Sequence, residues 1–185
     1  KALKNKGFNP AAFKCGPDYI DPMFHSAVLG VKSRNLDLFL LSEEVVTYLL
    51  AENSREASLA VLEGVMGFYD GLGGASPAAS SYHLAALTRT PVLLVVDCRG
   101  SSLSLAALIK GFAGYKADNG IKGVILNYLS PALYPSYKKT IEEESGIPVI
   151  GYFPPLEEAT LASRHLGLVT AAEVPDLRAK MERLA

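Results

Sequence analysis

Cysteine is scarce: only Cys15 and Cys98 occur in the 185 residues. Two thiols cannot build a disulfide framework, so a reducing, cytoplasmic setting is expected. Neither charge is in excess. Lysine and arginine number 18 against 19 aspartates and glutamates, a net charge of −1. A dedicated nucleic-acid binder carries a basic surplus, so no nucleic-acid partner is expected. No apolar run approaches the ~18 residues of a membrane helix, and no signal-peptide pattern occurs, so no membrane partner is expected either. The patterns G-x-x-x-x-G-K-[ST], G-x-G-x-x-G and G-x-S-x-G are missing from these residues. That leaves no phosphate loop, dinucleotide fingerprint or nucleophile elbow within them. His25, His83 and His165 lack metal-ligand spacing with one another or with the cysteines.

What is present is globular: 49% hydrophobic and 20% charged residues, in a length that suits one domain. Short apolar runs read as buried strands at Ala11–Cys15, Leu59–Glu63, Val92–Asp97, Val124–Asn127 and Val149–Tyr152. Helical patterns lie between them. Ser42 caps one that opens on Glu43 and Glu44. Ser76-Pro77 starts a second, and Leu105, Leu108, Ile109 and Phe112 share a face of a third. A fourth runs from Ser130-Pro131 to a stop at Gly146. A last helix carries Leu177, Met181 and Leu184, with its start at Thr170 or after Pro175 left open. Lys1–Lys6 reads as the closing turns of a helix ended by Gly7. Strand alternating with helix predicts an α/β fold, a mostly parallel sheet with helices on both faces.

Ligands in such sheets bind beyond the carboxyl ends of the strands. Those ends carry Lys14, Glu63, Asp97 and Asn127, so acidic and amide groups are expected on one rim, where oxygen ligands suit Mg²⁺ and phosphate. Asp18 and Asp21 are three residues apart between Pro17 and Pro22. Two readings are open there: a cation held between two carboxylates, or an Asx-turn pair capping the next helix. Lys14 closes a buried strand and needs a carboxylate or phosphate partner. The glycine-rich stretch Glu63–Gly74 reads as a mobile loop able to approach a substrate.

Lys14-Cys15-Gly16-Pro17-Asp18-Tyr19-Ile20-Asp21-Pro22-Met23-Phe24-His25 closely resembles the K-x-G-P-D-Y-I-D-P-x-F-H segment of cobyrinic acid a,c-diamide synthases. Ser33-Arg34-Asn35-Leu36-Asp37, Glu63-Gly64-Val65-Met66-Gly67-Phe68-Tyr69-Asp70-Gly71, Val96–Gly100, Gly123–Asn127 and Arg164-His165-Leu166-Gly167-Leu168 resemble further segments of that family in the same order. The resemblance implies a three-layer fold of the dethiobiotin-synthetase-like group of P-loop enzymes. It implies a C–N ligase that uses ATP and glutamine to amidate the a and c acetates of cobyrinic acid in cobalamin biosynthesis. Each carboxylate passes through an acyl phosphate, and ammonia comes from a separate glutaminase domain.

Position by position, the resemblance implies Lys14, Asp18, Asp21 and Glu63 as catalytic residues. Asp18, Asp21 and Glu63 stand about Mg²⁺, and Lys14 neutralises charge on the phosphate or the activated carboxylate. Asn127 meets the adenine edge. Tyr19, His25, Asp70, Arg164 and His165 lie on the corrinoid side. The same resemblance leads to the expectation that residues 1–185 are a single synthetase domain truncated at both ends, without the phosphate loop and the glutaminase domain and inactive alone. Another tetrapyrrole substrate (a nickel-sirohydrochlorin or hydrogenobyrinic acid), a non-catalytic nucleotide-binding relative and assembly as a homodimer stay open.

Overall fold

The computed structural model describes residues 1–156, 163–164, 167–168 and 177–185. By its internal contacts the chain divides into two compact units, 1–87 with 157–185 and 88–156. All five expected strands and a sixth are present in parallel sheets, so the α/β reading holds.

In the first unit, α1 (Ala2–Asn5) leads into β1 (Pro10–Cys15), α2 (Ile20–Leu29), β2 (Ser33–Leu36), α3 (Glu43–Ser54), β3 (Leu59–Glu63) and α4 (Ser81–Thr88, its last residue falling in the second unit). β1 lies in the middle of a parallel sheet of order β2-β1-β3. The path steps outward from β1 to β2 and then returns past β1 to β3. With right-handed crossovers, that reversal puts α2 and α3 on opposite faces. The side chains agree. Phe13, Cys15 and Leu36 pack with Val46 of α3 and Leu84 of α4, whereas the alternate residue Lys14 meets Asp21 of α2. Reversal of strand order beside β1 also creates a switch point between β1 and β3, where open α/β sheets bind ligands.

β2 escapes a hydrophobic-run reading because its sequence, Ser33-Arg34-Asn35-Leu36, is polar. It forms an edge strand, with only Leu36 buried. The helix expected from Ser76-Pro77 begins instead at Ser81. A short 3₁₀ turn at Leu72–Gly74 and the left-handed Ala79 occupy the preceding residues. The cap is therefore Ser80, whose Oγ accepts from His83 N at 3.2 Å. Ser42 caps α3 as expected, accepting from Val45 N.

The second unit runs β4 (Val92–Asp97), α5 (Ser104–Tyr115), β5 (Ile121–Asn127), α6 (Tyr134–Ser145) and β6 (Val149–Phe153), in sheet order β4-β5-β6. Stepping one way across a sheet with right-handed crossovers puts both helices on one face. Val96, Val124, Leu126 and Val149 meet Leu105, Ile109 and Ile141 there. On the other face Leu93, Val95 and Ile150 are half exposed or more. Gly146 ends α6 in the left-handed conformation, φ 71°, where a side chain is strained.

Near the C-terminus a two-residue antiparallel ladder joins β7 (Ser163–Arg164) to β8 (Gly167–Leu168), and α7 (Leu177–Arg183) follows. The start of this last helix expected at Thr170 falls outside the described residues. Among the described residues no helix is long and apolar enough to cross a membrane.

Candidate active site

Parallel pairing places Lys14 directly beside Glu63 on β3 and beside Asn35 on β2. Three strand ends therefore meet at the carboxyl edge of the first sheet. Lys14 is 4% exposed, and a buried ammonium needs partners. It has them. Nζ lies 2.5 Å from Asp21 Oδ2, 3.3 Å from Glu63 Oε1 and 3.9 Å from Asp18 Oδ2. It also donates to the Gly64 carbonyl at 3.2 Å.

Both readings of the Asp18–Asp21 pair have a counterpart here. Asp18 Oδ1 accepts from Ile20 N at 2.8 Å and Asp21 N at 3.2 Å, binding the free N–H groups that open α2. The cation between the carboxylates is Lys14 itself. The loop carrying Asp18 is fixed from below, because Asn35 Nδ2 donates to the Asp18 carbonyl at 2.6 Å.

Glu63 has both oxygens engaged. Oε1 faces Lys14, and Oε2 lies 2.6 Å from His25 Nε2. Burial pushes its carboxyl up, but the His25 hydrogen bond and the Lys14 charge outweigh that and hold it below the usual carboxylate range. For Lys14, burial favours the neutral amine. The contacts to Asp21 and Glu63 overcome this and raise its pKa, so it stays charged. Cys15, on the opposite face of β1, has its thiol pushed up to about 11, chiefly by burial. Alkylation of native protein at pH 7.5 is therefore expected to leave Cys15 unmodified, with labelling only after denaturation. Peptide mass mapping checks this.

The other expected residues divide. Tyr19, next to Asp18 in the chain, is 79% exposed. Asp70 folds back on its own loop, accepting from Gly67 N at 3.1 Å. That loop is packed, with Phe68, Tyr69 and Tyr82 in edge and tilted contacts. A Cβ on Gly71 would fall against the backbone oxygens of Ser76 and Ala78. Gly71→Ala is expected to cost about 1–3 kcal/mol, read by chemical denaturation.

Arg164 lies in β7, but its side chain, like all of His165, is outside the described residues. Asn127 ends β5 in the second unit, beside Asp97. Its carboxamide oxygen accepts from Tyr128 N at 3.1 Å. Asp97 is gripped by Arg99, with Nη2 to Oδ2 at 2.5 Å, and that guanidinium lies 4.3 Å from the centre of the Tyr128 ring. His83 is structural: Nδ1 accepts from Ala79 N, and Nε2 lies 3.2 Å from Glu43.

Among the described residues no group of three or more His, Cys, Asp or Glu side chains forms a ready metal cage. Mg²⁺ asks for less, one or two carboxylates completed by water and phosphate oxygens. Glu63, with its side chain 47% exposed and lone pairs left on each oxygen, and Asp18 through Oδ2 fit that requirement. Asp21 is committed to Lys14. Ser33 and Asn35 complete the cluster from β2, and no chemical pattern in the sequence singled them out. Their signal was only that Ser33–Asp37 resembles a family segment.

A parallel α/β unit with charged strand ends at a switch point belongs to the open-sheet class of α/β folds, which bind ligands beyond the carboxyl ends of their strands. The relatives narrow it. No protein-family model matches the chain. It is 41% identical over 184 residues to a cobyrinate a,c-diamide synthase of Priestia megaterium, covering 99% of this chain and 40% of that protein. It is 44% identical over 185 residues to the cobyrinate a,c-diamide synthase of Thermoplasma volcanium, again covering 40% of it. With the hydrogenobyrinate a,c-diamide synthase of Mycobacterium tuberculosis it shares 43% over 176 residues, 38% of that protein. The chain is thus homologous to the cobyrinate and hydrogenobyrinate a,c-diamide synthases. It spans about two fifths of the length of these curated relatives.

Proposed function

We propose that the protein containing this chain amidates the a and c acetate side chains of a corrinoid, with ATP as activating substrate and glutamine as ammonia source. The observation that carries the reading is the buried Lys14 ammonium joined to Asp21 and Glu63 at the β1–β3 switch point. Phosphoryl transfer depends on positioned charge more than on covalent catalysis, and this cluster is positioned charge.

In this reading an acetate oxygen of the corrinoid attacks the γ-phosphorus, its bond to ADP breaks, and an acyl phosphate forms. Ammonia then adds to the acyl carbon, phosphate leaves with the C–O electron pair, and the ammonium loses a proton to give the amide. Glu63 and Asp18 would hold Mg²⁺, which supplies charge neutralisation at the phosphate oxygens. Lys14 keeps Glu63 ionised and in place, and Asp21 holds Lys14. Tyr19, with Met66 of the Glu63–Gly74 loop, offers exposed apolar surface to the macrocycle, and Asn127 an amide to the adenine edge. Ammonia is supplied by a glutaminase region of the longer protein.

Cobyrinic and hydrogenobyrinic acids are equal candidates, because the relatives named for each are 41–44% and 43% identical. The test incubates full-length protein with each corrinoid, Mg-ATP and glutamine. The expected result is two carboxyl-to-amide conversions by mass spectrometry, with stoichiometric ADP. Absence of both products with either corrinoid overturns the reading.

A further inference from the structure

His25 does more than border the site. It sits on α2 with its side chain 21% exposed, and both ring nitrogens are engaged. Nε2 is 2.6 Å from Glu63 Oε2, and Nδ1 is 2.9 Å from Ser33 Oγ on β2. These contacts form one line, Ser33–His25–Glu63–Lys14, crossing α2, β2, β3 and β1.

The chemistry of each atom sets the direction of the line. An ionised carboxylate only accepts hydrogen bonds, so the proton between His25 and Glu63 belongs on Nε2. In the neutral ring Nδ1 is then an acceptor, and the Ser33 hydroxyl donates to it. A hydroxyl can give or take a hydrogen bond, so Ser33 follows the tautomer that Glu63 imposes and, by bonding Nδ1, fixes the orientation of the ring. With Oε1 on Lys14 and Oε2 on His25, the carboxylate is clamped at both oxygens and its outward lone pairs have a fixed direction. A carboxylate on a flexible glutamate side chain, left half exposed and held by Lys14 alone, could swing about that one contact.

We infer that His25 is a positioning residue for Glu63, with its ring held in orientation by Ser33. The inference rests on the proposed role of Glu63, but the ring geometry is testable without it. Partners of this kind, one step removed from the groups that meet the ligand, are worth about 10–100-fold in activity.

The experiment uses the full-length protein. In ¹⁵N-histidine-labelled protein at pH 8.5, the His25 resonances, assigned by their loss in His25→Gln, are expected to show the Nε2–H tautomer. In Ser33→Ala the Nε2–H tautomer is expected to persist, with the Nδ1 resonance shifted by the loss of its hydrogen bond. A dominant Nδ1–H tautomer in the unsubstituted protein overturns the inference, whatever the reaction proves to be.

Amidation kinetics give the second arm. His25→Gln places an amide N–H near the former Nε2 and is expected to keep the rate within a few-fold. His25→Asn reaches only as far as Nδ1, and its kcat is expected to fall about 10–100-fold with KM for the corrinoid unchanged. Ser33→Thr keeps a hydroxyl and is expected to retain the rate that Ser33→Ala loses. A rise in KM without loss of kcat places His25 on the substrate and overturns the inference, as does equal loss in His25→Gln and His25→Asn. If no variant, nor the unsubstituted protein, amidates a corrinoid, the proposed function fails while the tautomer measurement still decides the role of His25.

Discussion

Glu63→Gln in the full-length protein is expected to lower the corrinoid amidation rate by about 10²–10³-fold while the fold is retained. Glutamine keeps the length and volume of the side chain, so packing at the end of β3 is unchanged. It removes the negative charge that faces Lys14 and His25. It also turns one of two acceptor oxygens into a donor. Either His25 Nε2–H or Lys14 Nζ then meets an amide N–H₂, and the clamp opens on that side. Rate and circular dichroism, measured on the same preparation, check the prediction. A variant that keeps its fold and its full rate removes Glu63 from the mechanism.

The second large effect concerns stability. Lys14→Met keeps most of the side-chain volume but leaves Asp21, Glu63 and Asp18 without their shared cation. Breaking a buried ion pair on one side costs about 3–5 kcal/mol. The lower end, about 3 kcal/mol, is expected here because all three carboxylates keep some contact with water.

The loss depends on pH in a definite direction. Glu63 is held below its ordinary pKa in the folded protein. A lowered carboxylate pKa stabilises the fold above the unfolded value, about 4.3, and that contribution disappears as pH falls through the folded value. Lys14 is the reverse case. Its raised pKa contributes fully below the unfolded value, about 10.4, and the contribution is lost as pH climbs through the folded one. The gap between the unsubstituted protein and Lys14→Met is therefore expected to be widest from about pH 5 to 10. It should narrow toward pH 3, as Glu63 takes up its proton. Urea denaturation at several pH values measures it. A gap that stays constant down to pH 3 removes the ion cluster as its cause.

These expectations differ in how far the sequence alone reaches them. That Lys14 needs a charged partner follows from one lysine ending an apolar run. The sequence left the partner open between carboxylate and phosphate, and the fold names Asp21 and Glu63. Glu63 is 49 residues away in the chain, and only the parallel register of β1 and β3 sets it beside Lys14. His25 reads from the family segment as a group on the substrate side. Its contact with Glu63 depends on the crossover that lays α2 over the Lys14 face of the sheet.

Local chemistry was written plainly where it was purely local. The β-branched runs, the Ser42 cap and the Gly146 stop each depend on residues within one or two turns of chain, so spacing suffices to find them. β2 shows the limit. Its polar residues form a strand because β1 offers an edge and Leu36 a buried foothold, neither visible in a four-residue window. The displaced start of α4 is similar, since Ser76 and Ser80 are both good caps. Tight packing of Gly71 against the backbone at 76–78 leaves only the second to open the helix.

Burial gives the converse case. Val92–Asp97 reads as a strand buried on both faces, yet Val95 is 61% exposed. The composition reflects a parallel strand made for two covering layers. Among the described residues, α5 and α6 supply one, because a sheet that steps in a single direction keeps its right-handed crossovers on one side.

The scarcity of cysteine, the even charge and the strand–helix alternation were determined by the sequence itself, since each is a property of composition or of neighbours along the chain. The Lys14 cluster and the line from Ser33 to Glu63 were decided only by tertiary structure. They join residues 7, 8, 38 and 49 positions apart. Strand register sets the last of these distances and the crossover that lays α2 on the sheet sets the others, not sequence spacing.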